Sequence, residues 1–575
     1  MQLLPVLSVW WASRGEPRVT AERESLLALL VRPLVRLTVA MRFLVVPAYF
    51  AGAFLFVSVF GTRLGSEIFP EIDAGQLQLR FRAQTGTRLE LTEQIAQRIL
   101  AAIAEEAGPD QIAITMGLIG VHASNYPVNL IHQWNSGPEE GMLQVQLKKG
   151  TPVRVAKLRE TLRARLAKEM PEVRLSFEPA DIVSRVMSLG SSTPLEIAVS
   201  GKDFAATRAH AEKIRTALAT IPELRDVHIA QTLDYPSVNV QIDRERAGLL
   251  GVRMSDATRS LVAATASSRF TVPNYWADTK TGVSYSLQVQ VPQGQMKSAE
   301  DLLNLPVSAG SGRSALLRNF SQISEGTVVG QYDRYNMART VSVAANLHGA
   351  SLGRVAKKVE EALKQLETPA GVNVAMRGQV QPLRELEAGL KNGLGVAVLV
   401  ILLLLMANFQ SVRLPIVVLS AVPAVLAGVV GALWITRETL NLQSFMGAVM
   451  AVGVSVSNAI LFVTFAERAQ RAGADRKQAA LDGLAGRVRP ILMTSFAMMA
   501  GMVPMAFGGT ASGPLGKAVL GGLAVATVST LFILPAVYAL LARSKAGSAS
   551  LDPDDADCDL PAHAGRRGDP ALAAS

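Results

Sequence analysis

Polar side chains lie inside two long apolar segments of this 575-residue sequence. The first segment contains "GVSVSNAIL", which places Ser455, Ser457 and Asn458 within one helical turn. In the second segment, Thr494 follows seven residues after Arg487. Hydroxyl and amide groups in an apolar setting either serve a proton pathway or bond one helix to its neighbour. The residues by themselves leave both roles open.

A proton carrier in a membrane must gain and lose charge where water does not screen it, so it needs an ionisable side chain. The centres of the apolar segments contain no Asp, Glu, Lys, Arg or His. The sequence therefore predicts a polar lining without a proton carrier of its own.

Other kinds of site find little support in the sequence. A single cysteine, Cys558, excludes an intramolecular disulfide framework and a Cys-based zinc cage, and the six His show no paired spacing. No Ser-His-Asp, Cys-His or HExxH arrangement occurs, so we predict neither an enzyme nor a bound cofactor or resident metal. The net charge of +10 comes from scattered Lys and Arg without interleaved aromatic residues, which argues against nucleic-acid binding.

Membrane helices must position the polar residues, because 49% of the side chains are hydrophobic and the mean hydropathy is +0.27. A bilayer core takes about 20 apolar residues per helix. One predicted transmembrane helix occupies 42–61, and a five-helix bundle occupies 390–543. The apolar runs are Phe43–Phe60, Gly393–Phe409, Leu414–Ile435, Leu442–Phe465, Ile491–Phe507 and Leu515–Leu541.

Charged residues near the spans predict the topology. Arg and Lys are concentrated before the first span and between the fourth and fifth, so both places should be cytoplasmic and residues 61–389 outside. Residues 20–41 predict an interfacial amphipathic helix, and the polar tail 544–575 predicts disorder. The apolar residues 1–12 are too short to cross and resemble the remnant of a preceding span.

The large segment between the first two spans alternates period-two strands with period-3.6 amphipathic helices. This pattern covers 75–183 and repeats over 190–232 and 336–380, with 233–335 as an insertion. The predicted fold class is therefore membrane α-helical with six transmembrane helices, plus α+β subdomains of split βαβ (ferredoxin-like) type with an inserted module.

Four stretches resemble one family in sequence and in order along the chain. They are "FPEIDAGQLQLRF" (Phe69–Phe81), "IDRERAGLLGVRMSDATRSLVAAT" (Ile242–Thr265), "VSNAILFVTFAE" (Val456–Glu467) and "RVRPILMTSFAMMAGMVPMAF" (Arg487–Phe507). From about Leu3 to Leu541, the chain resembles the C-terminal half of a resistance-nodulation-division (RND) efflux permease.

The resemblance implies the parts and partners of such a permease. Residues 75–183 resemble a first porter subdomain, 190–232 with 336–380 a second, and 233–335 a docking module. Family members are similar in being trimers of the bacterial inner membrane, with a large periplasmic domain, a periplasmic adaptor and an outer-membrane channel. They export hydrophobic and amphiphilic compounds by proton antiport, and their proton-carrying carboxylates lie in the N-terminal half, which this sequence lacks.

The resemblance also implies roles for individual residues. It places Ser457, Asn458, Arg487 and Thr494 in the proton-relay neighbourhood, with Arg487 at the cytoplasmic mouth. Drug-exporting members commonly have a lysine where Ser457 stands, so either Arg487 compensates or coupling differs. Helix-to-helix bonding remains the structural alternative for these polar groups.

Two side chains of the soluble part are candidates for a substrate cleft. Phe177 offers an apolar ring, and Met187 in "SRVMSLGSS" offers a thioether of the kind that holds soft ions such as Cu(I), although core packing is common for both. The heavy-metal-exporting branch of the family is therefore one alternative function. A non-transporting membrane scaffold, or an inactive fragment, is another.

Overall fold

The structure is a computed structural model, and it describes residues 26–542 except 71–74, 122–134, 269–270, 293–294, 297, 310–312 and 510. The predicted span remnant at 1–12, the start of the helix predicted at 20–41 and the tail at 544–575 lie outside the described residues.

Helices and strands are numbered here in chain order. The helices are α1 Leu26–Ala40, α2 Arg42–Gly61, α3 Leu89–Ala107, α4 Val155–Glu169, α5 Ile182–Met187, α6 Phe204–Ala219, α7 Arg244–Leu249, α8 Met254–Thr265, α9 Ala299–Leu303, α10 Leu352–Gln365, α11 Val380–Phe409, α12 Arg413–Leu419, α13 Val422–Ile435, α14 Leu442–Arg471, α15 Arg476–Ala485, α16 Val488–Phe507, α17 Gly513–Phe532 and α18 Leu534–Leu541. The strands are β1 Gln76–Arg82, β2 Ile112–Ile119, β3 Glu140–Leu147, β4 Arg174–Glu178, β5 Leu195–Gly201, β6 Leu224–Ile229, β7 Tyr235–Ile242, β8 Asn274–Ala277, β9 Ser284–Leu287, β10 Pro306–Ala309, β11 Arg313–Leu316, β12 Ser321–Val328, β13 Asp333–Tyr335, β14 Ala338–Leu347 and β15 Val372–Gly378.

Six helical segments of the described chain are long and apolar enough to cross a membrane, as the sequence predicts. The spans are α2, α11, α12 with α13, α14, α16 and α17. Three of them differ from prediction by six or more residues at an end. The fourth span extends to Arg471 instead of Phe465. The second span begins at Val380, ten residues before the predicted bundle, because α11 continues without a break out of the soluble part. The sixth ends at Phe532 instead of Leu541.

The break after Phe532 and the break inside the third span both lie beside prolines. Pro535 follows Ile533, where α17 ends and α18 begins, and Pro423 follows the break between α12 and α13. Proline lacks the N–H that an uninterrupted helix needs, so nearby backbone N–H and carbonyl groups need hydrogen-bond partners outside the helix. The hydroxyl of Tyr49 supplies them in the third span, since it donates to the Ser420 carbonyl at 2.7 Å and accepts the Ala424 N–H at 3.0 Å.

The first α+β unit is a four-stranded antiparallel sheet with strand order β2–β3–β1–β4. Helices α3 and α4 pack against it around the fully buried Phe81, Ile99 and Leu162. The sequence pattern predicts β1, β3 and β4 but misses β2, because "IAITMGLI" contains only one polar residue, Thr115.

The second α+β unit is built around β14, its longest strand. The sheet runs β15–β5–β14, and both β6 and β13 pair with the far side of β14. Helices α6 and α10 cover it around the buried Val199, Ile214, Val343 and Val359.

A smaller module is inserted between β6 and β13 of the second unit. It contains β7 to β12 and α7 to α9, with β7 paired to β12 over Tyr235–Ile242 and Ser321–Val328. Its core is small and centres on Leu317 and Phe320, both buried. The described chain thus combines membrane-type helices with mixed α/β units.

Candidate functional site

The structure brings Asn458 of α14 and Thr494 of α16 together. The Thr494 hydroxyl lies 3.4 Å from the Asn458 Oδ1, and 3.1 Å from each of the Pro490 and Ile491 carbonyls of its own helix. A hydroxyl has one proton to donate, so the bond to Asn458 is long and shared. This contact joins the fourth and fifth spans through groups that exchange hydrogen bonds easily.

The remaining serines of this motif point in different directions. Ser455 lies three residues before Asn458 on the same helix face; it is buried, and its hydroxyl has no hydrogen-bond partner in the described chain. Ser457 lies on an exposed face of α14. Ser457 and Thr494 are therefore both exposed on the surface of the helical bundle.

Arg487 lies where α16 begins, two helical turns before Thr494. Its guanidinium carbon stands 3.8 Å from the ring centroid of Phe465 on α14, in a cation–π contact. The Arg487 Nε is buried without a hydrogen-bond partner among the described residues. Arg487 and Thr494 thus contact the same neighbouring helix at two levels, and no direct contact joins Arg487 to Asn458.

A second polar contact between spans was not predicted from the sequence. The Thr527 Oγ1 of α17 lies 2.9 Å from the Ser495 Oγ and 2.6 Å from the Leu523 carbonyl of its own helix, and both side chains are buried. The signal was present, because "VATVSTLF" puts Thr527 and Thr530 three residues apart in an apolar helix. The hydroxyls of α16 therefore face two ways, with Thr494 toward α14 and Ser495 toward α17.

In the soluble part, an open cleft of about 950 Å³ lies between the two α+β units. Strands β1 and β4 line it on one side, and α6 and β6 on the other. The walls carry many charged side chains, including Arg80, Arg82, Arg208, Glu140 and Asp234. The period-two pattern of "QLQLRFR" indicated that Arg80 and Arg82 share one face of β1, but not that a cleft lies there.

Carboxylates and guanidiniums in the cleft wall neutralise each other. The Arg80 Nε donates to Glu178 at 2.6 Å, while Arg80 and Arg82 reach Glu140 at 3.4 and 3.2 Å. Burial by itself would raise the pKa of Glu140, but the two guanidiniums and the hydrogen bonds from Ser136 hold it below its ordinary value. Glu140 is therefore charged at neutral pH and fixed in place.

Neither Phe177 nor Met187 lines this cleft. Phe177 is 2% exposed and lies in the core of the first unit, with the Arg163 guanidinium 4.8 Å above its ring. Met187 is partly buried against the core of the second unit. Within the part of the chain that the structure describes, no three His, Cys, Asp or Glu side chains cluster as metal ligands would.

Comparison with known proteins gives a consistent family match. Residues 24–542 match the model of the AcrB/AcrD/AcrF family. The chain is 26% identical to the cation efflux system protein CzcA of Alcaligenes sp. (strain CT14), over 84% of this chain and 45% of that protein. It is also 26% identical to the multidrug resistance protein MdtC of Serratia proteamaculans (strain 568), over 82% and 44%.

A solved structure agrees with these relatives. The fold matches a crystal structure of a heavy metal efflux pump with a TM-score of 0.77 and 26% identity, over 90% of this chain and 52% of that one. The chain spans about half the length of the relatives it matches. With the family model matched over nearly the whole described chain, the protein belongs to the AcrB/AcrD/AcrF family of RND permeases, which are membrane efflux transporters.

Proposed function

We propose that this chain acts as the C-terminal half of an RND efflux permease in the bacterial inner membrane and exports its substrate by proton antiport. The observation that carries the proposal is the contact between the buried Asn458 and the exposed Thr494, which lies two helical turns from Arg487. The proton-carrying carboxylates come from the other half of the permease, whether that half belongs to the same polypeptide or to another.

The uneven burial of the spans supports a second set of helices. About half of the residues in the apolar stretch are buried in the third, fourth and sixth spans, against 11% in the first span, 6% in the second and 17% in the fifth. The exposed face of the fourth and fifth spans carries Ser457 and Thr494. Polar groups seldom face lipid, so helices of the complementary half would cover them.

The soluble units fit periplasmic roles. The Arg-rich connection between the fourth and fifth spans favours a cytoplasmic position, which puts both α+β units on the opposite side of the membrane. We assign the units to porter subdomains of split βαβ type, at 75–183 and at 190–232 with 336–380, and the insertion 233–335 to a docking module. The implied assembly is a trimer that works with a periplasmic adaptor and an outer-membrane channel.

Two substrate classes remain as candidates for the complete pump. Hydrophobic and amphiphilic compounds fit the similarity to MdtC, a multidrug resistance protein. Metal ions are the second candidate, favoured by the similarity to CzcA and to a heavy metal efflux pump.

Transport in cells tests the proposal and separates the candidates. The chain would be produced with a six-span N-terminal half of the same family in a bacterium that lacks its own pumps. Growth would then be scored against hydrophobic drugs, and against zinc, cobalt, cadmium and copper salts. Resistance that requires both halves and falls with Asn458→Ala supports the proposal. Resistance to the drugs or to the metal salts identifies the substrate class. A pair that assembles but confers no resistance, and moves no protons in proteoliposomes, would instead favour a scaffold or an inactive fragment.

A further inference from the structure

The connection between the fourth and fifth spans forms a positively charged surface. Over residues 467–489 the chain has six Lys and Arg against three Asp and Glu. Helix α15 lies in the middle of this stretch and buries Ala479, Ala480 and Leu484 against the bundle, so its charged side chains lie on the outer side. We call this surface the basic face. Its cations are Arg468, Arg471, Arg476, Lys477, Arg487 and Arg489.

Three cations of the basic face have no carboxylate partner among the described residues. They are Lys477 and Arg489, which are exposed, and the partly buried Arg487, whose Nε also has no hydrogen-bond partner there. The guanidinium carbon of Arg487 lies 3.8 Å from the ring centroid of Phe465, and that of Arg468 lies 5.7 Å from the same centroid. Two like charges at one ring, beside further cations, make a surface that attracts anions.

The carboxylates of this stretch neutralise the basic face only in part. Asp475 precedes α15, where the helix dipole favours a negative charge, and Asp482 accepts a hydrogen bond from the Gln478 amide at 2.7 Å. The Glu467 carboxylate lies 3.2 Å from the hydroxyl of the buried Tyr538. Six cations against three carboxylates leave a net charge of +3 on this stretch.

The chain leaves the bundle beside the basic face. Ala542 is the last described residue, and its carbonyl accepts a hydrogen bond from the Arg476 guanidinium at 3.2 Å. The residues that follow include "DPDDADCD" at Asp552–Asp559, with five aspartates among eight residues. Acidic terminal segments of this composition often act as interaction tails. An acidic segment is therefore tethered next to a surface of opposite charge.

The length of the tether matches the distance that docking requires. Residues 543–551, "RSKAGSASL", separate Ala542 from Asp552, and a linker of about ten residues rich in Gly and Ser spans about 17 Å on average. Helix α15 has ten residues, begins at Arg476 and is about 15 Å long, and Arg487 follows just after its end. The tether thus brings the acidic segment to Arg487 at an effective concentration in the millimolar range.

We propose that the acidic segment Asp552–Asp559 docks on the basic face, with its aspartates against Lys477, Arg487 and Arg489. The segment is tethered and carries five carboxylates, which favours it over separate anions that each contribute about 1 kcal/mol or less at an exposed charge. The docked segment covers Arg487, at the cytoplasmic end of the proposed proton pathway. That consequence rests on the proposed function, whereas docking itself concerns this chain alone.

The only cysteine of the chain provides the probe, because Cys558 lies within the acidic segment. The full chain would be spin-labelled at Cys558 and reconstituted in phosphatidylcholine bilayers, and its spectrum gives the fraction of label in slow motion. At a salt concentration of about 0.05 M, we expect most of the label to be slow. The slow fraction should fall about threefold or more at about 1 M salt, where charges are screened beyond about 3 Å.

Substitutions on the basic face test which charges hold the segment. Arg487→Gln together with Arg489→Gln should lower the slow fraction about threefold or more at low salt, because two unpaired cations are lost. The matched control is Lys148→Gln with Lys149→Gln, which removes two exposed charges from the first α+β unit and should leave the slow fraction unchanged.

Substitutions in the tail leave the described chain intact, so they test docking even if the arginine variant does not fold. Replacing all five aspartates of the acidic segment by Asn should free the label as high salt does. A charge exchange tests direct contact. Lys477→Glu with Arg489→Glu should free the label, and adding Asp555→Lys with Asp557→Lys should make it slow again.

A slow fraction that ignores salt, the arginine variant or the Asn variant overturns docking, as does a charge exchange without recovery. Bilayers that contain phosphatidylglycerol test the other occupant of a basic surface, an anionic lipid headgroup. We expect the label to stay slow in them. A label that is fast there, equally in the wild type and in the Asn variant, shows that lipid occupies the basic face and overturns the proposal. Failure of the two-half pump to export would defeat the proposed function, whereas these spectra decide docking without transport.

Discussion

Arg163 of the first α+β unit and Asp226 of the second form a two-bond ion pair, with the Nε 2.8 Å from Oδ1 and an Nη 2.9 Å from Oδ2. Asp226 also accepts the Phe177 N–H and the Asn346 side-chain amide, each at 3.0 Å. One buried carboxylate thus connects β4, α4 and β14, and it forms part of the cleft wall.

Asp226→Asn should weaken this connection. Asp226 has a φ of 55°, which Asn tolerates well, so the substitution removes charge without backbone strain. Breaking a buried ion pair by removing one partner costs about 3 kcal/mol or more, which would lower the melting temperature of the soluble units by roughly 5–10 °C. Thermal unfolding of the solubilised chain measures it. Asp234→Asn, which breaks the exposed pair with Arg208, should change the melting temperature little, and equal effects would contradict the role of Asp226.

Glu139 should make stability depend on pH. Its carboxylate is fully buried without a hydrogen-bond partner in the described chain, and burial raises its pKa despite the nearby Arg82. Between the ordinary Glu pKa and the raised one, the folded chain holds a proton that the unfolded chain releases. The free energy of unfolding therefore falls as the pH rises through this range. Glu139→Gln should remove that loss, because the amide carries no charge in either state, and the variant should be the more stable chain at neutral pH. Melting temperatures across a pH series test it, and an identical pH slope in the variant would count against it.

Asn458→Ala should separate a proton pathway from helix bonding. Interhelical hydrogen bonds in membranes contribute about 0.6 kcal/mol on average, so the melting temperature should barely move. A proton-pathway role predicts that export by the two-half pump falls about tenfold or more. Ser495→Ala, which removes the bond from Thr527, is the matched control and should keep transport. Unchanged export in Asn458→Ala would leave helix bonding as the role of this amide.

Gly428→Ala should loosen the packing of the third span on the sixth. A Cβ on Gly428 would lie 2.3 Å from the Gly521 carbonyl oxygen, which is backbone and cannot rotate away. Membrane helices associate through such close backbone contacts. The melting temperature of the solubilised chain should fall by several degrees, whereas Gly393→Ala, with nothing within 4 Å, should not change it. A tolerated Gly428→Ala would show that the two spans separate at little cost.

The spans and several strands followed from local patterns. A bilayer requires about 20 apolar residues per helix, so hydropathy alone located all six spans, and period-two alternation located β1, β3 and β4. Local patterns missed one strand and one helix break. Strand β2 contains one polar residue, Thr115, and so shows little contrast between its two faces. The predicted sixth span continued past Ile533 because hydropathy alone does not register the break beside Pro535.

The sequence by itself therefore determined the family, the spans and the set of polar groups within them, since these depend on residue type and on spacing along the chain. Only the tertiary structure decided that Asn458 meets Thr494, that Ser457 faces outward, that Phe177 is a core residue and that Gly65 meets Ser351. Such contacts join residues tens to hundreds of positions apart. They depend on how helices and sheets pack against each other, which no short stretch of sequence encodes.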